Sequence, residues 1–435
     1  MIDHTHALGA RSWVASANQQ GIDFPIQNLP ISIFRRARSD EAWRGGVAIG
    51  DSILDLAALP GKKGVDGLFL TAVNAALDNE LNPLMAMGSP AWQALRHGLF
   101  ASLSEGNDAS SWLRKSLVSQ AEAEFKLPAR IGDYTDFYTS INHARTISRL
   151  FNPDADVSEN FRWVPTAYHG RVSSIGISGQ ELRRPNGQRV LPGRTTPEYG
   201  PCLRLDYELE LGVFVGPGNA QGQRIDLSNA DNHIFGICLL NDWSARDIQA
   251  WEMNPLGPFH SKNFATTISP WIVTLDALEP FRQPWSRPEA DPQPLAYLES
   301  ASNRRLGSLD IQVEVLIETE KMRGLGLDAA TLSRTSFAHQ YWSIGQMVTH
   351  HAAGGCNLMP GDLIGTGTIS GPTLDQAGAM MELTLAGRQP VELETGETRS
   401  FLEDNDKITF RGWCEATGFS RIGFGSNVGC VRPAL

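Results

Sequence analysis

Three stretches of the 435-residue chain hold residue types whose spacing could support chemistry. In CLRLDYELELGVF, residues 202–214, apolar Leu203, Leu205, Tyr207, Leu209 and Leu211 alternate with Arg204, Asp206, Glu208 and Glu210, the period of a β-strand. That period puts Glu208 and Glu210 on one face, about 7 Å apart. Neighbouring carboxylates repel, so the pair needs either water around it or a cation between its members. Taken alone, the alternation reads first as a strand with one solvated face. The second stretch, NDWSARDIQAWE, follows the apolar run HIFGICLL, and Asp242 reads there as a helix cap. Behind it Arg246, Gln249 and Met253 recur at spacings of three and four and share one helix face. Pro255 ends the helix, and LGPFHSKNFATT leads through Lys262 to Thr266 and Thr267, a loop able to return a cation to the same place. A lone loop lysine is otherwise simply solvated. In the third stretch, DYTDFYTSINHART, Asp136 and Tyr138 share one side of an extended segment, and Ser140 is placed to cap a short helix carrying His143. A neutral imidazole acting as a base near pH 7 needs polar partners to orient it.

The elements around these stretches are mostly short strands, since 42 glycines and 25 prolines punctuate the chain. Residues 22–57 read as strand, charged exposed turn and strand, suggesting a small β-barrel or roll. From Asp66 to Leu117 the apolar period becomes helical, as in WQALRHGLFASL. The charged segment from Asn107 to Arg130 marks a boundary. Beyond Asp133 the pattern is strand-rich, with one clear helix near Asp242 to Met253. The proline-rich run PFRQPWSRPEADPQP, residues 280–294, fits neither a helix nor a central strand and reads as an exposed loop. Two glycine runs, GTGTISG (365–371) and GFGSNVG (423–429), approach a dinucleotide loop, but the third glycine comes one position late and no helical pattern opens there.

Composition narrows the partners. Hydrophobic residues make up 41% and charged residues 20%, which fits a folded globular protein, and the formal net charge of −11 disfavours nucleic acid. No apolar run reaches the roughly 18 residues a membrane helix needs. The N-terminus lacks the basic and apolar regions of a secretory signal. Five cysteines, with no C-x-x-C pair, indicate neither a disulfide framework nor a zinc knuckle, and a cytoplasmic setting fits best.

DYTDFY with His143, YHGR (168–171), RRPNGQ (183–188), ELE (208–210), NDWSARDIQAWE, PLGPF with Lys262, the stretch from His350 through GCNLMPGDL to Leu363, GTISGP (367–372) and RIGFG (421–425) together resemble the fumarylacetoacetase family. The resemblance runs over essentially the whole chain, FPIQNLP and VAIGD included. It implies a mainly β (α+β) fold: a small SH3-like β-barrel with a helical segment over 1–125, and a larger mixed β-sandwich roll over 126–435 holding the site. It implies a homodimer and hydrolysis of a diketo acid, fumarylacetoacetate, to fumarate and acetoacetate, the last step of tyrosine and phenylalanine breakdown.

By the same resemblance, Asp136, Glu208, Glu210 and Asp242 match divalent-metal ligands, and Lys262 and Thr266 match residues beside the ion. Oxygen-only ligands suit Mg²⁺ or Ca²⁺. His143 matches the general base and Glu382 the carboxylate that orients it. Tyr138, Tyr168, Gln249 and Thr368 match substrate contacts, and Arg246 and Lys262 match the groups that stabilise oxyanionic charge. Two positions depart from the pattern. Met253 stands where the family has a substrate-facing tyrosine. Asn152 stands where it has a carboxylate-binding arginine, with Arg149 and Arg145 one and two helical turns before it. The alternatives are a related 3,5-diketo acid or acylpyruvate hydrolase and, outside enzymes, a metal-binding structural β-protein.

Overall fold

The computed structural model describes residues 1–435, apart from the side chain of Phe151. The N-terminal part is a five-stranded antiparallel sheet in the order Leu117–Ser119, Ser52–Asp55, Arg44–Ile49, Ile31–Arg36, Ala123–Phe125. The second of the two strands read in residues 22–57, VAIGDSILDL, is a tight hairpin of two. The segment read as a boundary, 107–130, is therefore no free linker, because it supplies both outer strands. The helical reading of 66–117 is met by helices Gly67–Ala75 and Ser89–Leu103. The second buries Trp92, Leu95, Leu99 and Leu103, three and four apart, as an amphipathic helix must.

Two larger sheets follow. One has eight strands, with Ala167–His169, Tyr134–Phe137, Leu363–Gly365, Leu209–Val215, Ile234–Asp242, Thr266–Ile268 and Ile175–Ile177 in that order and Val273–Thr274 paired beside Ile234–Asp242. The other orders Ala330–Ser336, Gln312–Glu318, Lys407–Cys414, Ile422–Arg432 and Gln180–Arg183. The sheets approach so closely that a Cβ at Gly429 would lie 2.3 Å from the indole of Trp243. The GFGSNVG run is thus strand packing, not a nucleotide loop. The other face of the eight-stranded sheet is covered by the N-terminal helices, where Trp92 meets Phe235 edge-on at 5.3 Å. One hydrophobic cluster joins Leu95 and Leu99 to Phe214, Leu240 and Ile268.

Because both faces are covered, every residue of Leu209–Val215 and Ile234–Asp242 is buried. The solvated face expected for the Glu208–Glu210 strand does not exist. Nor is it one strand: Leu205–Asp206 pairs with Ser244–Ala245 in a separate ladder. The short helix expected behind Ser140 is Ile141–Phe151, and the C-terminal part also holds a helix beyond those expected, Ile344–Ala353. The proline-rich run is mostly coil but not all exposed. Its Trp285 and Arg287 are buried, and the Arg287 guanidinium lies 4.0 Å above the Trp342 ring.

Candidate active site

Strand order brings residues far apart in sequence to one end of the eight-stranded sheet. Asp136 sits opposite Gly365 in a parallel pair, and Gly365 sits opposite Gly212 on the strand that carries Glu210. Asp242 ends the next strand, opposite Thr266, so it is a strand residue and not the helix cap its position suggested. Helix Arg246–Glu252 begins four residues later. Ligand atoms of Asp136, Glu208, Glu210 and Asp242 lie within 4.8 Å of one another, all four residues buried. Glycine at 365 is required here, since a Cβ would fall 2.5 Å from Asp136 Oδ1 and 3.1 Å from Glu210 Oε2.

Partners hold most of these oxygens. Lys262 Nζ donates to Glu208 Oε2 and, at 2.7 Å, to Asp242 Oδ2. The Tyr168 hydroxyl also donates to Asp242 Oδ2, at 2.7 Å, and Thr266 Oγ1 donates to Asp242 Oδ1 at 3.2 Å. The Gly367 N–H donates to Glu210 Oε2 at 3.0 Å. Arg246 donates through Nη1 to Glu208 Oε1 at 2.7 Å and through Nε to Asp206 Oδ2 at 2.9 Å. Asp206 also receives the Met380 and Met381 N–H groups at 2.8 and 2.9 Å. Asp136 Oδ1 and Glu210 Oε1 are buried with no partner, as is the Tyr134 hydroxyl beside them.

Charge explains the electrostatics. Burial, then the Asp242 carboxylate, pushes the Asp136 pKa well above the ordinary carboxylate range, and burial, then Asp136, does the same to Glu210. Burial acts the same way on Glu208, but Lys262 and Arg246 outweigh it and bring that pKa down to about 2. Four carboxylates thus share two cations, one of which is also committed to Asp206. A divalent cation fits this site: the donors are all oxygen, two of them lack partners, and negative charge is in excess.

Across the same cavity, of about 630 Å³, stands His143. Ser140 Oγ accepts the His143 N–H at 3.2 Å and so caps helix Ile141–Phe151. The imidazole Nδ1 lies 2.7 Å from Glu382 Oε1, which also accepts from Ser370 Oγ at 2.8 Å. With Glu382 accepting, Nδ1 is the protonated nitrogen and Nε2 keeps its lone pair toward the cavity. Tyr138 packs edge-on against the ring at 5.3 Å.

Asp136, Tyr138, His143, Tyr168, Glu208, Glu210, Arg246, Gln249, Met253, Lys262 and Thr368 all line this cavity. Asp242, Thr266 and Glu382 stand behind the lining and hold it in place. Neither Asn152 nor Arg149 lines it, and Arg145 is turned to Asp156 at 3.0 Å, so Arg246 is the cavity's one arginine among the described residues. An apolar part of the wall is made by Ile147, Ala250, Met253 and Pro258. Sequence reasoning passed over Asp206, which anchors Arg246, although the DYELE alternation had placed it on the same face as the two glutamates. It also missed Ser370, although GTISGP (367–372), which contains it, was among the motifs carrying the resemblance.

Two family models match the chain: "Fumarylacetoacetase N-terminal" over residues 27–128 and "Fumarylacetoacetate (FAA) hydrolase C-terminal" over 134–431. The chain is 46% identical over 416 residues to the fumarylacetoacetase of Arabidopsis thaliana, covering 94% of this chain and 96% of that one. It is 45% identical to that of Rattus norvegicus, with 95% and 97% covered, and 44% identical to that of Homo sapiens, with the same coverage. With both models matched in order and such relatives aligned nearly end to end, the chain belongs to the fumarylacetoacetase family.

Proposed function

We propose that the cavity hydrolyses the carbon–carbon bond of fumarylacetoacetate, giving fumarate and acetoacetate, with His143 as the base. The observation that carries this reading is the meeting, in one cavity, of an acid cluster short of positive charge with an imidazole locked by a carboxylate. A structural metal site has no use for the second element, which disfavours a merely metal-binding protein.

In this reading, Asp136, Glu208, Glu210 and Asp242 hold a divalent ion, Mg²⁺ or Ca²⁺, with Lys262 and Thr266 beside it. Bound there, the ion would act as a Lewis acid toward the substrate's paired oxygens. His143 Nε2 takes a proton from water as the water adds to the acyl carbonyl, and Glu382 steadies the imidazolium. The bond from that carbon to the neighbouring CH₂ then breaks, and its electron pair leaves on the acetoacetate carbon as an enolate. His143 returns the proton there. Arg246 Nη2, buried without a partner, is a free donor for the oxyanion. Gln249 accepts from Arg246 Nη1 at 3.1 Å, which leaves its amide NH₂ for the substrate. Tyr138, Tyr168 and Thr368 border the bound acid.

The same reading includes an SH3-like barrel over 1–125, a separate catalytic roll over 126–435 and a homodimer. Exposed Leu256, Phe259 and Trp251 beside the cavity mouth support the dimer, and sedimentation showing monomer alone at micromolar concentration would refute it. A cytoplasmic location suits five free cysteines. No helix among the described residues is long and apolar enough to cross a membrane.

The test is loss of fumarylacetoacetate absorbance by the purified protein, after chelation and after return of Mg²⁺ or Ca²⁺. Ion-dependent release of fumarate and acetoacetate in equal amounts supports the reading. A kcat/KM about a hundredfold higher for short acylpyruvates overturns it in favour of an acylpyruvate hydrolase.

A further inference from the structure

Residues 3–6 form a hook at the N-terminus, and none of them lines the catalytic cavity. The hook is fastened on two sides. Thr5 Oγ1 accepts from Arg96 Nε at 2.9 Å on helix Ser89–Leu103, and His6 Nε2 lies 2.8 Å from the backbone oxygen of Asp276. Asp3 Oδ1 accepts the Thr5 N–H at 2.8 Å, which fixes the carboxylate and turns Oδ2 toward His97 Nε2, 2.6 Å away on the same helix. A single imidazole–carboxylate contact is an ordinary surface feature, but here a second imidazole joins it. The His4 ring lies 5.0 Å from the His97 ring and meets Phe100 edge-on at 5.5 Å.

One ligand atom each from Asp3, His4 and His97 falls within 4.8 Å of the others. Among the described residues, the only other such group is the catalytic acid cluster. The two donor sets differ in kind. Four carboxylates favour hard ions, whereas two imidazoles and one carboxylate favour borderline ions such as Zn²⁺. Three protein ligands leave a fourth position for water, and the partial exposure of the group gives an ion a way in.

We infer that Asp3, His4 and His97 form a second metal site, for a borderline transition-metal ion of the Zn²⁺ class, which clamps the N-terminal hook to helix Ser89–Leu103. On binding, the His97–Asp3 hydrogen bond gives way to two metal–ligand bonds, and His97 takes the tautomer protonated at Nδ1. The ion binds the folded state alone, so it stabilises the fold by mass action without touching the reaction.

Zn²⁺ titration calorimetry on the untagged, Mg²⁺-loaded protein tests this, with Tm and fumarylacetoacetate turnover read on the same samples. The expected result is one saturable Zn²⁺ site, a Tm raised by a few degrees and turnover unchanged. His4→Ala and His97→Ala should each weaken Zn²⁺ binding by at least about tenfold and abolish the Tm rise. Both rings are partly exposed, so these variants should keep the Zn²⁺-free Tm of the parent. Absence of saturable binding at micromolar Zn²⁺, or undiminished binding when both histidines are replaced, overturns the proposal. Neither outcome bears on the role of the acid cluster, since turnover is scored separately.

Discussion

At Arg399 the guanidinium grips Asp406 with two nitrogens, Nε to Oδ2 at 2.8 Å and Nη2 to Oδ1 at 3.0 Å, while at Glu210 a buried carboxylate oxygen finds no donor at all. Both centres are ionic and shielded from water. The Arg399 corner is balanced: its one buried anion meets one cation, and Glu397 adds a contact at 3.2 Å. The acid cluster is not balanced, since four buried carboxylates share Lys262 with an Arg246 that also serves Asp206. A buried pair in good geometry is self-sufficient, whereas surplus buried charge costs stability until a counter-ion arrives. The first arrangement holds a fold together, and the second keeps a place for a ligand.

The largest effect separates His143 from the ionic surplus it faces. His143→Ala should lower kcat by about 10²- to 10⁴-fold while ion affinity stays near that of the parent, and Tm should fall equally with and without ion, because the ring is none of the four carboxylates and its loss strips buried Glu382 of a partner at 2.7 Å. Steady-state kinetics beside a calorimetric ion titration check this, and near-parental turnover would remove His143 from the mechanism. At the balanced corner, Asp406→Ala should cost about 3 kcal/mol with or without divalent ion, because Arg399 is stripped of its main partner. Denaturant unfolding measures it, and an ion-dependent loss would erase the distinction between the centres.

The pH dependence should differ in sign from that of an ordinary salt-bridged acid. Asp136 and Glu210 have folded-state pKa values above the ordinary range, through burial and then neighbouring carboxylates, so between the two values the native state binds more protons than the unfolded chain. Stability of the chelated protein should therefore fall as pH rises through the raised values. Glu208 acts oppositely, its stabilisation being lost as pH falls toward about 2. Divalent ion requires deprotonated ligands, so it should move the Tm optimum to higher pH. A Tm of the chelated protein that climbs steadily from about pH 5 to about pH 8 contradicts this. The smallest effect is expected on the apolar wall. Met253→Ala, at a side chain that is partly exposed, should change kcat/KM by less than about tenfold and leave ion affinity alone.

Much of the local structure was legible in the sequence, and most of the long-range structure was not. Ser140 three residues before His143 announces a cap, and the cap is there. The capping box of Ser343 and Gln346 was equally readable and marks a helix the strand-rich reading passed over. The alternation at 202–214 gave the shared face of Glu208 and Glu210 correctly. It gave the wrong solvent, because period two cannot tell a half-exposed strand from one covered by a second sheet on one side and helices on the other. Asp242 read as a cap because an Asn-Asp pair before a helix looks alike whether or not it still belongs to a strand. The pairing of Asp136 with Gly365 joins residues on strands far apart in sequence, and no local pattern encodes it. Arg287 escaped for a different reason: a proline-rich coil can still bury a guanidinium if aromatic rings receive it.

The central claim is that the surplus of the acid cluster exists to be met by a divalent ion on which both fold and turnover depend. Titrating Mg²⁺ or Ca²⁺ into the chelated protein, with Tm and fumarylacetoacetate turnover read from the same samples, tests it most directly. The parent should gain Tm and turnover together over one range of ion concentration. Asp136→Asn should start with a Tm at or above that of the chelated parent, since one repelling charge is gone, and then gain little of either. A chelated parent that keeps full turnover and gains no Tm on adding ion would contradict the account.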